Sequence, residues 1–198
     1  EPLADAHGTV TLRVVVEDGG FDSDLATSFD NASFTTTFVV TINPINDPPT
    51  LDPISDITIN EDSLERTVSL GGISAGPRES QPLAVSASSN NTGLIDHPEV
   101  IYTSAESTGS LNYTPVADQN GSATITVTVE DGGLDNDLDS PQGNATFSRT
   151  FDVTVNAVND VPTLVAISNP AAIDEDAGQQ EILLSGITAG GAESQPLR

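Results

Sequence analysis

The sequence contains no cysteine, methionine or tryptophan, and because its five basic residues are all arginine, it contains no lysine either. The lack of cysteine excludes disulfides and zinc–thiolate sites within these 198 residues. Aromatic residues make up only 4% of the chain, which argues against the aromatic platforms that sugar-cleaving sites use. No run of about 20 apolar residues occurs, so the sequence predicts no membrane-spanning helix.

Positive charge is nearly missing as well. The 30 acidic residues outnumber the five basic ones and give a formal net charge of −25 at pH 7. Such a chain repels phosphate backbones and anionic lipid headgroups, so we expect no nucleic-acid partner and no membrane insertion. Acidic residues serve either as a solvated surface or as oxygen ligands for divalent cations. Here they cluster in particular loops, which favours the second interpretation.

What the sequence does contain is an internal repeat. The sequence Glu-Asp-Gly-Gly at 17–20 returns 113 residues later at 130–133, and Asn-Asp-Pro-Pro at 46–49 returns at the same offset as Asn-Asp-Val-Pro. A recurrence of this size indicates one structural module copied in tandem. We therefore predict three parts, which are the C-terminal part of a repeat at 1–47, a complete repeat at 48–160 and the N-terminal part of the next repeat at 161–198.

Apolar and polar residues alternate along most of the complete repeat. Ile125, Val127 and Val129 are separated by threonines, a pattern typical of a β-strand with one buried and one solvated face. Seven short strands separated by Gly, Pro, Asn and Asp clusters are typical of an immunoglobulin-like sandwich. The predicted fold class is all-β, a tandem array of seven-stranded β-sandwiches. The predicted strands are 56–59, 66–70, 83–87, 100–103, 110–113, 122–130 and 147–156.

The order of the motifs is informative beyond their composition. In both copies a strand ends in Glu-Asp-Gly-Gly, a further strand follows, and Asn-Asp-x-Pro stands at the junction. This order resembles the end of a cadherin repeat, and the whole module resembles the bacterial cadherin-like or immunoglobulin-like tandem repeats of large surface adhesion proteins. The resemblance implies calcium ions between successive modules that fix their angle. It also implies an extracellular location, on the bacterial cell surface or secreted.

The first candidate metal site lies where the linker enters the complete repeat. Calcium prefers six to eight oxygen ligands from carboxylates, amides and backbone carbonyls. Alternate loops of a seven-stranded sandwich gather at opposite ends. The loop between the last two strands and the loop between the second and third should therefore meet the incoming linker. The predicted Ca²⁺ ligands at this site are Asn46, Asp47, Glu79, Glu130 and Asp131.

The second candidate site lies at the opposite end of the sandwich, where the outgoing linker meets the next copy. Asp or Asn before Gly also forms ordinary turns, so a turn stays an alternative to a ligand at each position. The predicted Ca²⁺ ligands at this site are Glu61, Asp62, Asp118, Asn159, Asp160 and Glu193. Corresponding acidic residues of the partial copies, predicted as ligands too, are Glu17, Asp18, Glu175 and Asp176.

A third acidic stretch follows the Glu-Asp-Gly-Gly motif. Asp135, Asp137 and Asp139 have the spacing that opens an EF-hand loop. The resemblance stops there, because Ser140 replaces the glycine of the sixth position and Thr146 the glutamate of the twelfth. We predict a solvated turn, which either adds one ligand to a calcium site or adds none.

No pairing of a nucleophile with a base is visible, since cysteine is absent and no Gly-x-Ser-x-Gly motif occurs. We therefore predict that the chain is not an enzyme. The predicted function is a calcium-rigidified structural or adhesive repeat of an extracellular bacterial surface protein or filament, which spaces or presents an adhesive region. Two alternatives stay open: a carbohydrate-binding or self-binding module, and a non-catalytic accessory region of a secreted hydrolase.

The expected partners are neighbouring repeats of the same or an adjacent chain, with a surface ligand or a carbohydrate as the alternative. Residues 1–47 lack the first strands of a repeat and residues 161–198 lack the last ones, which leaves edges and apolar surface open. Two interpretations follow. Either the sequence is a stretch of a much longer array, or the tail of one chain completes the head of the next in a head-to-tail assembly.

Overall fold

The structure is a computed structural model that describes residues 1–26, 29–140 and 142–198. Within these ranges the chain is all-β, as predicted. None of the described residues forms a helix with the length and hydropathy needed to cross a bilayer. Nine strands follow one another: β1 (Gly8–Glu17), β2 (Ser33–Ile42), β3 (Ile57–Asn60), β4 (Arg66–Leu70), β5 (Leu83–Ser89), β6 (Glu99–Ile101), β7 (Gly109–Tyr113), β8 (Gly121–Asp131) and β9 (Thr146–Asn156).

Strands β3 to β9 form the predicted immunoglobulin-like sandwich. One sheet has the strand order β3-β9-β8-β5 and the other has the order β4-β7-β6. The first strand, β3, pairs in parallel with the last strand, β9, while the other pairs are antiparallel. All seven predicted strands are present, and their ends differ by at most two residues from the prediction.

The core lies between the two sheets and follows the period-two pattern of the sequence. Along β8 every second side chain is buried, and Ile125, Val127 and Val129 are fully shielded from solvent. Leu111 of β7 joins the same core from the other sheet. Burying a large apolar side chain stabilises the fold by about 1.5–3 kcal/mol relative to leaving it exposed. The intervening β8 positions stay partly exposed, which explains their threonines.

The β1–β2 hairpin has the same pairing register as β8–β9, but within the described residues it does not belong to a larger sheet. Gly8 pairs with Ile42 and Gly121 with Val155, so the two registers coincide after a shift of 113 residues. The hairpin is a two-stranded sheet by itself. All ten β1 residues are therefore exposed, although their counterparts in β8 alternate between buried and partly exposed positions.

Residues 161–198 belong to no strand in the structure. An isolated antiparallel bridge joins Thr163 to Thr188, and it copies the bridge between Thr50 and Ser74 in the complete repeat. The tail thus contains one backbone bridge that is typical of the start of a repeat, but it forms no sheet. The boundaries of the three predicted parts remain a prediction.

Candidate metal centre at the repeat junctions

The first junction, residues 43–49, is bonded to the complete repeat through its asparagine. The side-chain nitrogen of Asn46 donates to both carboxylate oxygens of Asp131, at 3.0 and 3.2 Å. Gln81 in turn donates to the side-chain oxygen of Asn46 at 2.5 Å. These bonds hold the linker against the loop between β8 and β9. Gln81 was not among the predicted site residues, although it belongs to the recurring sequence Glu-Ser-Gln-Pro-Leu.

Asp131 is fully buried and anchors the loop between β8 and β9. Its Oδ1 accepts the backbone N–H groups of Gly133 and Ala145, both at 2.9 Å. Gly133 has a φ of +58°, and a Cβ there would lie 2.9 Å from the backbone of Gly143. The second glycine of Glu-Asp-Gly-Gly is therefore required by the turn itself. The role that the structure gives Asp131 is that of a turn anchor, and its role as a calcium ligand remains a prediction.

Asp18 anchors the β1–β2 loop in the same way. It accepts the backbone N–H groups of Ala32 at 3.0 Å and of Gly20 at 3.1 Å. These two hydrogen bonds, that of Ala32 first, lower the pKa of the Asp18 carboxyl below its usual value because they favour the ionised form. The recurrence of the motif in the sequence thus corresponds to a recurring hydrogen-bonded turn.

The other two glutamates of the first predicted site each accept a separate hydrogen bond. The backbone N–H of Asp47 lies 3.3 and 3.2 Å from the two carboxylate oxygens of Glu79. Glu130 instead accepts a hydrogen bond at 3.2 Å from Asn144, which lies in its own hairpin loop. Within the described ranges, the acids of this site do not form a group of three whose oxygens lie within 4.8 Å of one another.

The second junction, residues 156–162, does bring three carboxylates together. Asp62 follows β3, Asp118 precedes β8, and Asp160 lies on the linker. One carboxylate oxygen of each lies within 4.8 Å of those of the other two. We call these three residues the acidic cluster. They meet because their segments share one end of the sandwich, where the strand order of the sequence analysis placed them.

The carboxyl of Asp160 lies in a strongly negative environment. Burial, followed by the negative charges of Asp118 and Asp62, raises the pKa of its carboxyl above the usual value, with smaller contributions from Glu193 and Glu61. Its Oδ2 is shielded from solvent and has no hydrogen-bond partner. Mutual repulsion therefore disfavours the fully ionised cluster, and a cation among these oxygens would relieve it.

Gly191, in the tail, packs closely against the cluster. A Cβ at this position would lie 2.2 Å from Oδ2 of Asp160 and 2.8 Å from Oδ1 of Asp118, so a side chain would displace both carboxylates. Gly191 was not predicted from the sequence, because the Gly190-Gly191 pair before Glu193 is also typical of an ordinary turn. At the first junction its counterpart is Pro77, which is followed by Arg78.

Two glutamates hold the linker backbone beside the acidic cluster. Glu61 is only 5% exposed and accepts a linker N–H, that of Val158, at 2.6 Å. Glu193 accepts the N–H of Asp160 at 3.1 Å. Asn159 accepts a hydrogen bond at 2.9 Å from a glutamine of the tail. All six predicted residues of the second site thus lie at this junction, three as the cluster and three in bonds that position the linker.

The first junction contains a partial copy of the cluster. Asp5 and Asp47 correspond to two of its members, and they line a cavity of about 230 Å³ together with Glu79 and Arg78. Unlike the acidic cluster, this group therefore includes a cationic side chain, that of Arg78.

The remaining predicted acids lie apart from both junction contacts described above. Glu175 and Asp176 are exposed in the tail, and Glu17 lies 3.5 Å from the side-chain nitrogen of Asn31. In the EF-hand-like stretch, two carboxylates accept N–H groups two residues later, at 3.3 and 3.0 Å. This stretch is therefore an exposed series of turns.

Comparison with known proteins matches part of this chain to a family. Residues 46–139 match the model of the bacterial Ig domain family, and a search of curated proteins finds no match. Domains 4 and 5 of the S-layer protein SbsC match at 17% identity over 63% of this chain and 62% of that chain, with a TM-score of 0.34. Domains 1–6 of SbsC match at 14% identity over 92% of this chain and 21% of that chain, with a TM-score of 0.36.

The M1 domain from titin matches at 9% identity over 55% of this chain and 93% of that chain, with a TM-score of 0.33. The chain thus spans less than two thirds of the length of either SbsC structure. All three TM-scores lie below 0.5, so these likenesses carry no argument about this chain.

Proposed function

Residues 46–139 match the bacterial Ig domain family, and from this premise we propose that the chain is a structural repeat of a bacterial surface or secreted protein. Its role is mechanical and not catalytic, and calcium at the second junction stiffens the connection between successive repeats. The observation that carries the calcium part is the acidic cluster, in which Asp160 has a solvent-shielded oxygen without a partner.

The donor set of the second junction suits a hard divalent cation. Its three clustered groups are all carboxylates, and oxygen donors of this type favour calcium, whereas zinc and copper sites commonly include nitrogen or sulfur ligands. The oxygens of Asp160 and Asp118 lie close against the backbone of Gly191, where a side chain would displace them. The residues present therefore fit a calcium ion, which would supply the positive charge that these acids lack.

A cation in the acidic cluster would stiffen the junction because the residues around it come from different parts of the chain. Asp62 and Asp118 belong to the complete repeat, Asp160 belongs to the linker, and Glu193 of the next copy holds the Asp160 backbone. A charge that attracts all of these groups at once ties the linker to both repeats. Without it, the carboxylates repel one another and favour separation of the same segments.

Calcium is expected to raise the melting temperature of the chain. Extracellular modules bind calcium with a Kd of about 10⁻⁴–10⁻³ M. At a free concentration of about 10 mM, mass action then adds about 1.4–2.7 kcal/mol to the free energy of unfolding, or several degrees in melting temperature. Tyrosine fluorescence is a suitable probe, because both tyrosines, Tyr102 and Tyr113, lie in the complete repeat.

The matched variants are Asp160→Asn and Glu65→Gln, each of which removes one negative charge. Asp160→Asn should lose most of the calcium response and keep or raise the melting temperature in chelator, because repulsion in the cluster is relieved. Glu65→Gln, outside the cluster, should respond as the unmodified chain does. Small-angle scattering should report a more extended, less variable particle with calcium. Equal calcium responses of both variants, or none in the unmodified chain, would refute the proposal.

Gly191→Ala is expected to weaken calcium binding without unfolding the complete repeat. The added Cβ would clash with the cluster oxygens, and the φ of +41° at this position further disfavours a side chain. The control is Gly178→Ala in the same tail, where a Cβ would meet no atom within 4 Å. Calorimetric titration should show a calcium affinity lowered roughly tenfold for the first variant and unchanged for the second. The same calcium affinity in both variants would show that Gly191 does not contribute to the metal site.

A further inference from the structure

In an array of repeats, tension would enter the complete repeat at one junction and leave it at the other. The first strand of the repeat, β3, follows the first junction, and the last strand, β9, ends where the second junction begins. These two strands are hydrogen-bonded neighbours in one sheet and run in parallel, with Ile57 opposite Val153 and Asn60 opposite Asn156. The tension would therefore act on two strands that are bonded directly to each other.

The parallel direction decides how this pair of strands is loaded. Tension pulls β3 at its beginning, Ile57, and β9 at its end, Asn156, and in a parallel pair these points lie at opposite ends of the shared ladder. The hydrogen bonds of such a ladder are evenly spaced, so strands that slide along each other strain all of them at once. Strands pulled from the same end would instead separate one bond after another. A ladder that shares its load therefore withstands a larger force than one that opens stepwise.

Two carboxylates lengthen this ladder beyond the four paired residues of β3. At its beginning, Oδ1 of Asp56 accepts the backbone N–H of Asp152 at 2.8 Å. At its end, the backbone N–H of Glu61 donates to the carbonyl of Asn156 at 2.9 Å, and the Glu61 carboxylate accepts the N–H of Val158 at 2.6 Å. Because Glu61 is buried, little water competes for its bonds. The connection between the two strands thus continues at both ends of β3.

The segment between the first junction and β3 is attached to both sheets. The backbone N–H of Thr50 donates to the carbonyl of Ser74 at 2.9 Å, and Nε of Arg149, on β9, donates to the carbonyl of Leu51 at 3.2 Å. The first contact is an isolated bridge and the second a single side-chain bond, so neither continues as a ladder. We expect this segment to detach at a lower force than β3 and to pass the tension on to it.

We propose that the ladder between β3 and β9 is the force-bearing element of the repeat, and that Asp56 and Glu61 are positioning residues that extend it at its two ends. This role rests on the mechanical part of the proposed function and not on calcium. Ile59 of β3 is buried in the core between the two sheets. Sliding of β3 along β9 would draw this side chain out of the core, so the ladder and the core should yield together.

The absence of cysteine from the sequence allows a direct test, because cysteines introduced in pairs become the only thiol handles for single-molecule pulling. Ile45→Cys with Val161→Cys pulls from the two junctions and loads the ladder along its length. Leu64→Cys with Val161→Cys pulls from the one end of the sandwich at which β3 and β9 both finish. Ile45, Val161 and Leu64 are 80%, 81% and 87% exposed, so the substitutions should not disturb the core.

In chelator, we expect the first pair of handles to unfold the repeat at a force roughly twofold higher than the second, because the bonds of the ladder then share the load. Urea unfolding has no direction and should give the same free energy for both. Equal forces, or a lower force for the first pair, would overturn the proposal. Both pulls are made without calcium, so this outcome is distinct from a failure of the calcium response.

Asp56→Ala separates a role in the ladder from a general effect on stability. Asp56 lies at the beginning of the ladder, so its removal should lower the force measured between the Ile45 and Val161 positions. It should leave the force between the Leu64 and Val161 positions unchanged, because that pull opens the ladder from its other end. Glu99→Ala, at an exposed position of β6 in the other sheet, is the control and should change neither force. An equal loss in both directions would contradict the role assigned to Asp56.

Discussion

Phe151→Ala is expected to lower the free energy of unfolding of the complete repeat by about 3–5 kcal/mol. Phe151 lies on β9, is 2% exposed and belongs to the core between the two sheets. Removing its ring forfeits apolar burial and leaves a cavity that the close-packed surroundings fill only in part. A loss of this size is a large fraction of the stability of a module of this length.

The matched control is Phe38→Ala, because Phe38 occupies the same position in the β1–β2 hairpin and is 49% exposed. At low concentration its removal should change the unfolding of the complete repeat by less than about 0.5 kcal/mol. Urea unfolding monitored by tyrosine fluorescence measures both, since the two tyrosines lie in the complete repeat. Similar losses for the two variants would mean that the hairpin is packed as tightly as the sandwich, contrary to the structure.

The strands of the complete repeat were predictable because burial acts on every second side chain. The alternation in β8 places its apolar residues in the core and its threonines outside, and this pattern is visible in the sequence itself. Sequence reasoning did not reveal the parallel pairing of β3 with β9, because backbone pairing between distant strands depends on no particular residue type.

The sequence predicts which residues gather at a junction, but not which of their oxygens are already taken up by hydrogen bonds. The grouping of Asp62, Asp118 and Asp160 follows from which loops share one end of a sandwich. Asp131 looked equivalent in sequence, yet its Oδ1 is taken up by two backbone N–H groups. An aspartate before two glycines suits a turn and a ligand equally well, and only the positions of the N–H donors separate these roles. Gly191 was missed because it contributes no side chain, and this lack lets the carboxylates of Asp160 and Asp118 lie against its backbone.

Asp131→Ala is expected to lower the free energy of unfolding by about 3 kcal/mol. Asp131 is fully buried, and its carboxylate accepts the N–H groups of Gly133 and Ala145 and the side-chain amide of Asn46. Its removal leaves these donors without an acceptor, and hydrogen bonds to charged groups contribute about 1.5–3 kcal/mol each, partly replaced by water. The free energy of unfolding from urea titrations measures the loss.

The control for this variant is Asp18→Ala, which removes the same anchor from the exposed β1–β2 loop, where Gly20 and Ala32 are the donors. It should leave the unfolding of the complete repeat unchanged, because the hairpin forms a separate sheet. The loss caused by Asp131→Ala should be equal in calcium and in chelator if the residue acts only as a turn anchor. A loss that is larger in calcium by more than about 1 kcal/mol would instead assign Asp131 to a metal site at the first junction.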